Sequence, residues 1–139
     1  MQTSYNLGER EARLAIDACV AELKARDKTG VVAVGDSHGE LIALLRTDGA
    51  ALPPIVIAQN KVYTAARVRA PSGDLGRAAQ RDGSDVHYHG DARYLGWDGG
   101  APVFLNGHCV GAVAVSGLSG EEDLEIAQIG IAAILATLA

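Results

Sequence analysis

The chain has 139 residues, 48% of them hydrophobic and only 4% aromatic, with twelve Lys and Arg against seventeen Asp and Glu for a formal net charge of −5. That length predicts one domain, residues 1–139, whose core is filled by Ala, Val, Leu and Ile. Scattered basic residues in an acidic chain exclude the clustered cationic face of a nucleic-acid binder, and no apolar run is long enough to span a membrane.

Asn6, with Glu9 three positions on, predicts a capped helix running to about Asp27, with Leu7, Ala15, Ala18, Cys19 and Leu23 near one stripe. Thr29-Gly30 stops it. Val31–Val34 and Leu41–Leu45 read as two strands joined by the polar turn Gly35-Asp36-Ser37-His38-Gly39-Glu40. Pro53-Pro54 opens a second helix over Ile55–Arg69, because proline is tolerated in a first turn, and Pro71 closes it. Ser72-Gly73-Asp74 caps a short helix through Leu75, Ala78 and Ala79. Gln80–Asp91 is polar, carries two histidines and reads as the functional loop, and Tyr94–Trp97 as a further short strand.

Asn106-Gly107 between Ala101–Leu105 and His108–Val115 is a strong hairpin signal, since both central residues of a type I′ turn need positive φ. Ser119 and the acids Glu121, Glu122 and Asp123 then suit a helix N-terminus. This last helix is apolar over so wide an arc that burial on two sides is expected, and with it a homo-oligomer with helices at an interface; the alternative is a helix packed inside a single subunit. The element order gives an α+β architecture with an antiparallel sheet of about five strands. The first residues lack the order of a signal peptide, so a cytoplasmic location is expected. Cys19 and Cys109 stand alone in apolar settings and are expected to be reduced, and no base can be placed beside Cys109.

His87 and His89, two apart on an extended segment, would point the same way and can share a metal ion, with Asp91 or His38 as a third ligand; exposed loop histidines are the alternative. Lys61, Arg67 and Arg69 form a local basic group suited to a small anion, or else a solvated helix face. Lys61, Thr64 and Arg67 can ring a pocket mouth, and Lys61 can equally pair with Glu121, Glu122 or Asp123. Ser116–Gly120 lacks the Lys and spacing of a phosphate loop, and no Gly-x-Ser-x-Gly, zinc-protease or Cys-x-x-Cys motif occurs. No complete catalytic constellation is present.

Gly99-Gly100-x-Pro102, Val110–Gly117 with the following Glu121-Glu122-Asp123, the block Ala58–Ala66, the Asp36 turn and Thr47–Ala50 together resemble the GlcG/HbpS-like family, the haem-degrading domain family, over nearly the whole chain. The resemblance implies a three-layer α-β-α fold and binding of haem or a related tetrapyrrole. Lys61, Arg67 and Arg69 would then face the propionates, and His38, His87 or His89 would reach the iron. The candidate binding set is Lys61, Thr64, Arg67, His87, His89 and Glu122. The chain departs from the family pattern at His38, where glycine is usual. Two other functions stay open. One is a cofactor-free isomerase, cyclase or lyase acting on a small carbonyl or hydroxy-aromatic compound, with His38, Lys61, His87 and His89 moving protons. The other is a structural partner domain with a vestigial pocket.

Overall fold

The computed structural model describes residues 1–138. Its elements run α1 (Glu9–Ala25), β1 (Val31–Asp36), β2 (Leu41–Arg46), α2 (Pro54–Val68), α3 (Ser72–Asp82), a 3-10 turn (Val86–His89), β3 (Gly100–Leu105), β4 (His108–Ser116) and α4 (Gly120–Leu138). The strands form one antiparallel sheet in the order β2-β1-β4-β3. Asn106 and Gly107 take φ of 50° and 80°, the pair of positive values that a type I′ turn demands, so β3 folds directly back on β4.

Period-two alternation divides the core between the two faces of this sheet. Val32, Val34, Val103, Val113 and Val115 face α1 and α4, packing on Ala12, Cys19, Leu23, Ile126 and Ile134. Val31, Ala33, Ala112 and Ala114 face α2, against Ala58, Val62, Ala65 and Ala66. The small side chains let α2 lie close: a Cβ on Gly100 would stand 2.6 Å from the Lys61 carbonyl oxygen. Full burial of Ile126 and Ile134 contributes about 1.5–3 kcal/mol each, enough to fix α4 to the sheet.

Four local expectations are corrected. The α1 N-cap is Gly8, whose amide donates to Glu11 Oε2 at 2.9 Å, while Asn6 Oδ1 accepts from the Ser37 amide at 2.9 Å and ties the N-terminal segment to the β1–β2 turn. Helix α3 continues to Asp82, into the segment read as loop. Ser72 does not cap it; its hydroxyl accepts from the Gly100 amide at 3.0 Å and donates to the Trp97 carbonyl. Tyr94–Trp97 joins no ladder, leaving four strands among the described residues instead of about five. The reason is that the Leu95 amide donates to Thr64 Oγ1 at 3.0 Å, so a helix side chain takes a bond that a neighbouring strand would have made. Among the described residues no helix is long and apolar enough to cross a membrane.

Candidate functional site

At the end of the sheet where β4 finishes and α2 and α4 begin, five segments wall a cleft of about 660 Å³. Pro53, Pro54 and Ile57 come from α2, Gly73, Gly76 and Arg77 from α3, Trp97 and Asp98 from the segment before β3, Ser116–Leu118 from the end of β4, and Gly120 and Asp123 from α4. Glycine sets the spacing here. Gly76 and Gly96 bring α3 and the 94–98 segment together so closely that a Cβ on either would strike the other's backbone.

Lys61 forms the floor. Its Nζ donates to Asp123 Oδ2 and to the Val115 carbonyl, each at 3.0 Å, and the two charged side chains are 2% and 3% exposed. Burial pushes the ammonium below its ordinary value and the Asp123 carboxyl above its own, while their mutual attraction opposes both shifts. Asp123 Oδ1 also accepts from the Leu118 amide at 3.0 Å, so one carboxylate neutralises the lysine and fixes the entrance to α4. Ser119 completes that entrance by accepting from the Glu122 amide at 3.2 Å.

Arg77 stands at the cleft wall between two carboxylates, 2.6 Å from Asp74 Oδ1 and 2.8 Å from Asp98 Oδ2. The guanidinium holds the Asp98 carboxyl below its ordinary value. Neither Arg77 nor Asp98 was among the sequence candidates. The available signal was the Asp74-x-x-Arg77 spacing, which puts opposite charges on one helix face.

Beside the cleft, and sharing Ile57, Gly96 and Trp97 with it, runs an apolar groove of about 250 Å³ that Val86, His87, Tyr94 and Leu95 complete. Trp97 is 66% exposed on the shared wall. Behind the groove a polar clamp holds the loop to α2. Tyr63 donates to Asp91 Oδ2 at 2.6 Å, Arg67 Nε donates to the Tyr94 hydroxyl at 3.0 Å, and the guanidinium carbons of Arg93 and Arg67 lie 3.8 and 4.7 Å from the centre of the Tyr63 ring. Arg67 also reaches the His38 carbonyl at 3.4 Å.

The structure does not gather the sequence candidates into one place. His87 lines the groove, the His89 ring lies tilted against Tyr94 at 5.4 Å between ring centres, Lys61 sits at the cleft floor and His38 lies in the β1–β2 turn at the far end of the sheet. The His87–His89 segment is a 3-10 turn, not an extended strand. With three residues per turn, side chains two apart diverge, and among the described residues no three His, Cys, Asp or Glu side chains assemble for a metal. Thr64 is fully buried and serves by holding Leu95. Glu122 faces away from the cleft, 3.8 Å from Arg26, the cap residue that follows α1. Of the three acids offered to Lys61, the partner is Asp123.

A family model described as haem degrading protein HbpS-like matches residues 7–132. Protein GlcG of Escherichia coli is 32% identical over 122 residues, which span 84% of this chain and 85% of GlcG. Among solved structures, the PduOC:heme complex matches with a TM-score of 0.84 at 26% identity, covering 92% of this chain and 94% of that one. HbpS of Streptomyces reticuli, solved as a double mutant, matches with a TM-score of 0.86 at 28% identity, covering 95% and 89%.

Proposed function

The chain belongs to the HbpS-like family of haem-degrading proteins, and from that premise we propose that it binds haem or a related tetrapyrrole in the groove and the adjoining cleft. The observation that carries this reading is the position of His87, a free imidazole on an apolar groove that opens into a larger cleft. A porphyrin needs flat apolar walls and one ligand to its iron, and Ile57, Val86, Leu95 and Trp97 offer the first while His87 offers the second. His87 Nδ1 lies 3.5 Å from Asp85 Oδ1, longer than a good hydrogen bond; a closer approach there would orient the ring and leave Nε2 to the metal. A relative of the same fold is described as a heme complex, which supports the ligand class.

Each residue then has a limited task. His87 would ligate the iron, which when bound would supply a redox-active Lewis acid. Thr64 fixes the Leu95 wall through its amide. Arg77, now held by Asp74 and Asp98, is the cation that would face the propionates. Lys61 keeps the floor neutral with Asp123 and leaves the propionates to Arg77. The cofactor-free enzyme gains no support, because the groups it would draw on stand apart.

Self-association belongs to the same proposal. Most of the apolar stripe of α4 is covered by α1 and the sheet, so the interface we favour is the β2 edge, where Leu41 and Leu45 are 46% and 40% exposed. Light scattering on the purified protein tests it: a dimer or larger assembly disrupted by Leu41→Glu or Leu45→Glu supports this edge, and a monomer removes it.

Titration with haem followed by absorbance, on the wild type and on His38→Ala, His87→Ala and His89→Ala, tests the binding site. We expect a saturable shift of the Soret band that only His87→Ala abolishes. No saturable shift in the wild type overturns haem binding, and a loss confined to His38→Ala overturns the placement in the groove.

A further inference from the structure

At the opposite end of the sheet lies a second cavity, of about 330 Å³, made by four segments far apart in sequence. Antiparallel pairing sets Asp36 beside Gly111, which brings the β1–β2 turn with His38 next to the β3–β4 turn with His108. Helix α2 ends at the same place, and its cap residue Arg69 takes a left-handed conformation, φ 56°. The N-terminal segment closes the fourth side. It is pinned by the Leu7 amide on the Val110 carbonyl at 2.9 Å and by Asn6 on Ser37, and it lays Tyr5 against His108 at 6.3 Å between ring centres.

The charge pattern differs from that of the cleft. Arg77 is held between two aspartates there, whereas no Asp or Glu lines this cavity and, among the described residues, the Arg69 guanidinium makes no ion pair or side-chain hydrogen bond. Asp36, in the same turn as His38, is occupied by the amides of His38 and Glu40 at 2.8 and 3.1 Å. Arg67, the other cation at this end of α2, is turned toward Tyr94 and the His38 carbonyl. Arg69, His38 and His108 thus border one concavity, with the hydroxyls of Tyr5 and Ser37 beside them. A guanidinium presents a planar fork of donors, and imidazole offers an N–H in either protonation state.

We propose that this cavity binds a small oxyanion, the carboxylate or phosphate group of a metabolite, with Arg69 as its principal contact and His38 and His108 as flanking donors. The site is independent of the haem groove and lies at the other end of α2. It also accounts for the imidazole at position 38, which the groove leaves unused.

The test is an NMR titration at fixed pH and ionic strength, with inorganic phosphate in one arm and succinate in the other, following the imidazole signals of all four histidines. The expected result is a saturating shift of His38 and His108 with at least one probe, while His87 and His89 stay still. Arg69→Gln should weaken that binding by about tenfold or more, and Arg69→Lys should restore only part of it. Both replacements are on the surface, so thermal melting should be unchanged. Haem titration of Arg69→Gln should match the wild type, which keeps failure of this proposal distinct from failure of the haem site. Non-saturating shifts, equal shifts at all four histidines, or full binding by Arg69→Gln would leave an adventitious ion only, with Arg69 merely offsetting the negative end of α2.

Discussion

Lys61 of α2 and Asp123 of α4 meet at 3.0 Å around the end of the sheet that separates the two helices, with almost none of either side chain in solvent. The pair joins the two helices at the cleft floor and has no water to fall back on. Removing one partner leaves the other charge buried and unmatched, at a cost of about 3–5 kcal/mol. Lys61→Met should therefore lose most of that amount in chemical denaturation. Lys61→Met combined with Asp123→Asn should recover a large part, because asparagine keeps an oxygen for the Leu118 amide. A double variant no more stable than Lys61→Met would contradict the account that the lost stability comes from an unmatched buried Asp123 carboxylate.

The Tyr63–Asp91 bond predicts a pH dependence with a definite sign. The Tyr63 hydroxyl, the leading cause, holds the Asp91 carboxyl below its ordinary value, and the same bond holds the phenol above its own. A carboxyl lowered on folding contributes stability that is complete above its unfolded value, about 3.9, and is lost as pH falls through the lower folded value. A phenol raised on folding contributes stability that is complete below its unfolded value, about 10, and is lost as pH rises through the folded one. Denaturation midpoints of wild type and Tyr63→Phe should therefore differ most between those limits and converge at either extreme. A difference that stays constant from pH 2 to 7 contradicts the assignment.

The Asn106-Gly107 hairpin, the strands and the first and last helices were legible because each rests on a local pattern: Asn-Gly for the turn, apolar runs bounded by turn residues for the strands, apolar spacing for the helices. The fourth strand order and the missing fifth strand were not, since Tyr94–Trp97 has strand-like composition and only the buried hydroxyl of Thr64 diverts it. The candidate site was legible by residue type more than by arrangement. Lys61 was identifiable as a helix lysine with three possible acids, but its choice of Asp123 depends on how α4 packs on the sheet. His87 and His89 were paired on the assumption of extended backbone, which the Asp85 side chain overturns by accepting from the His87 amide at 2.8 Å and capping a 3-10 turn. His108 carried no signal beyond its place after a turn; its neighbours Arg69 and His38 reach it only through strand register.

Both thiols should be inert in the native protein. Cys19 donates to the Ile126 carbonyl at 3.3 Å, and burial pushes its pKa up to about 12; burial also raises Cys109. Since the thiolate is the reactive form, an aromatic disulfide reagent at pH 8 should release almost no colour from the folded chain and two equivalents after denaturation. One fast equivalent in the native state would mark Cys109 as accessible and activated.

Trp97 is the chain's single tryptophan, and it stands on the wall shared by the groove and the cleft, so its fluorescence reports on that place alone. A porphyrin seated there should quench it through energy transfer, with a saturable curve that coincides with the absorbance titration. Replacing it by Ala removes a large apolar wall, and a loss of about tenfold in affinity, roughly 1.4 kcal/mol, is expected. His87→Ala should act differently, because it removes the proposed iron ligand and leaves the wall. Quenching should persist in that variant with weaker binding, while the Soret shift disappears. If haem binds by absorbance and Trp97 is not quenched, the tetrapyrrole occupies another surface and the groove loses its assignment.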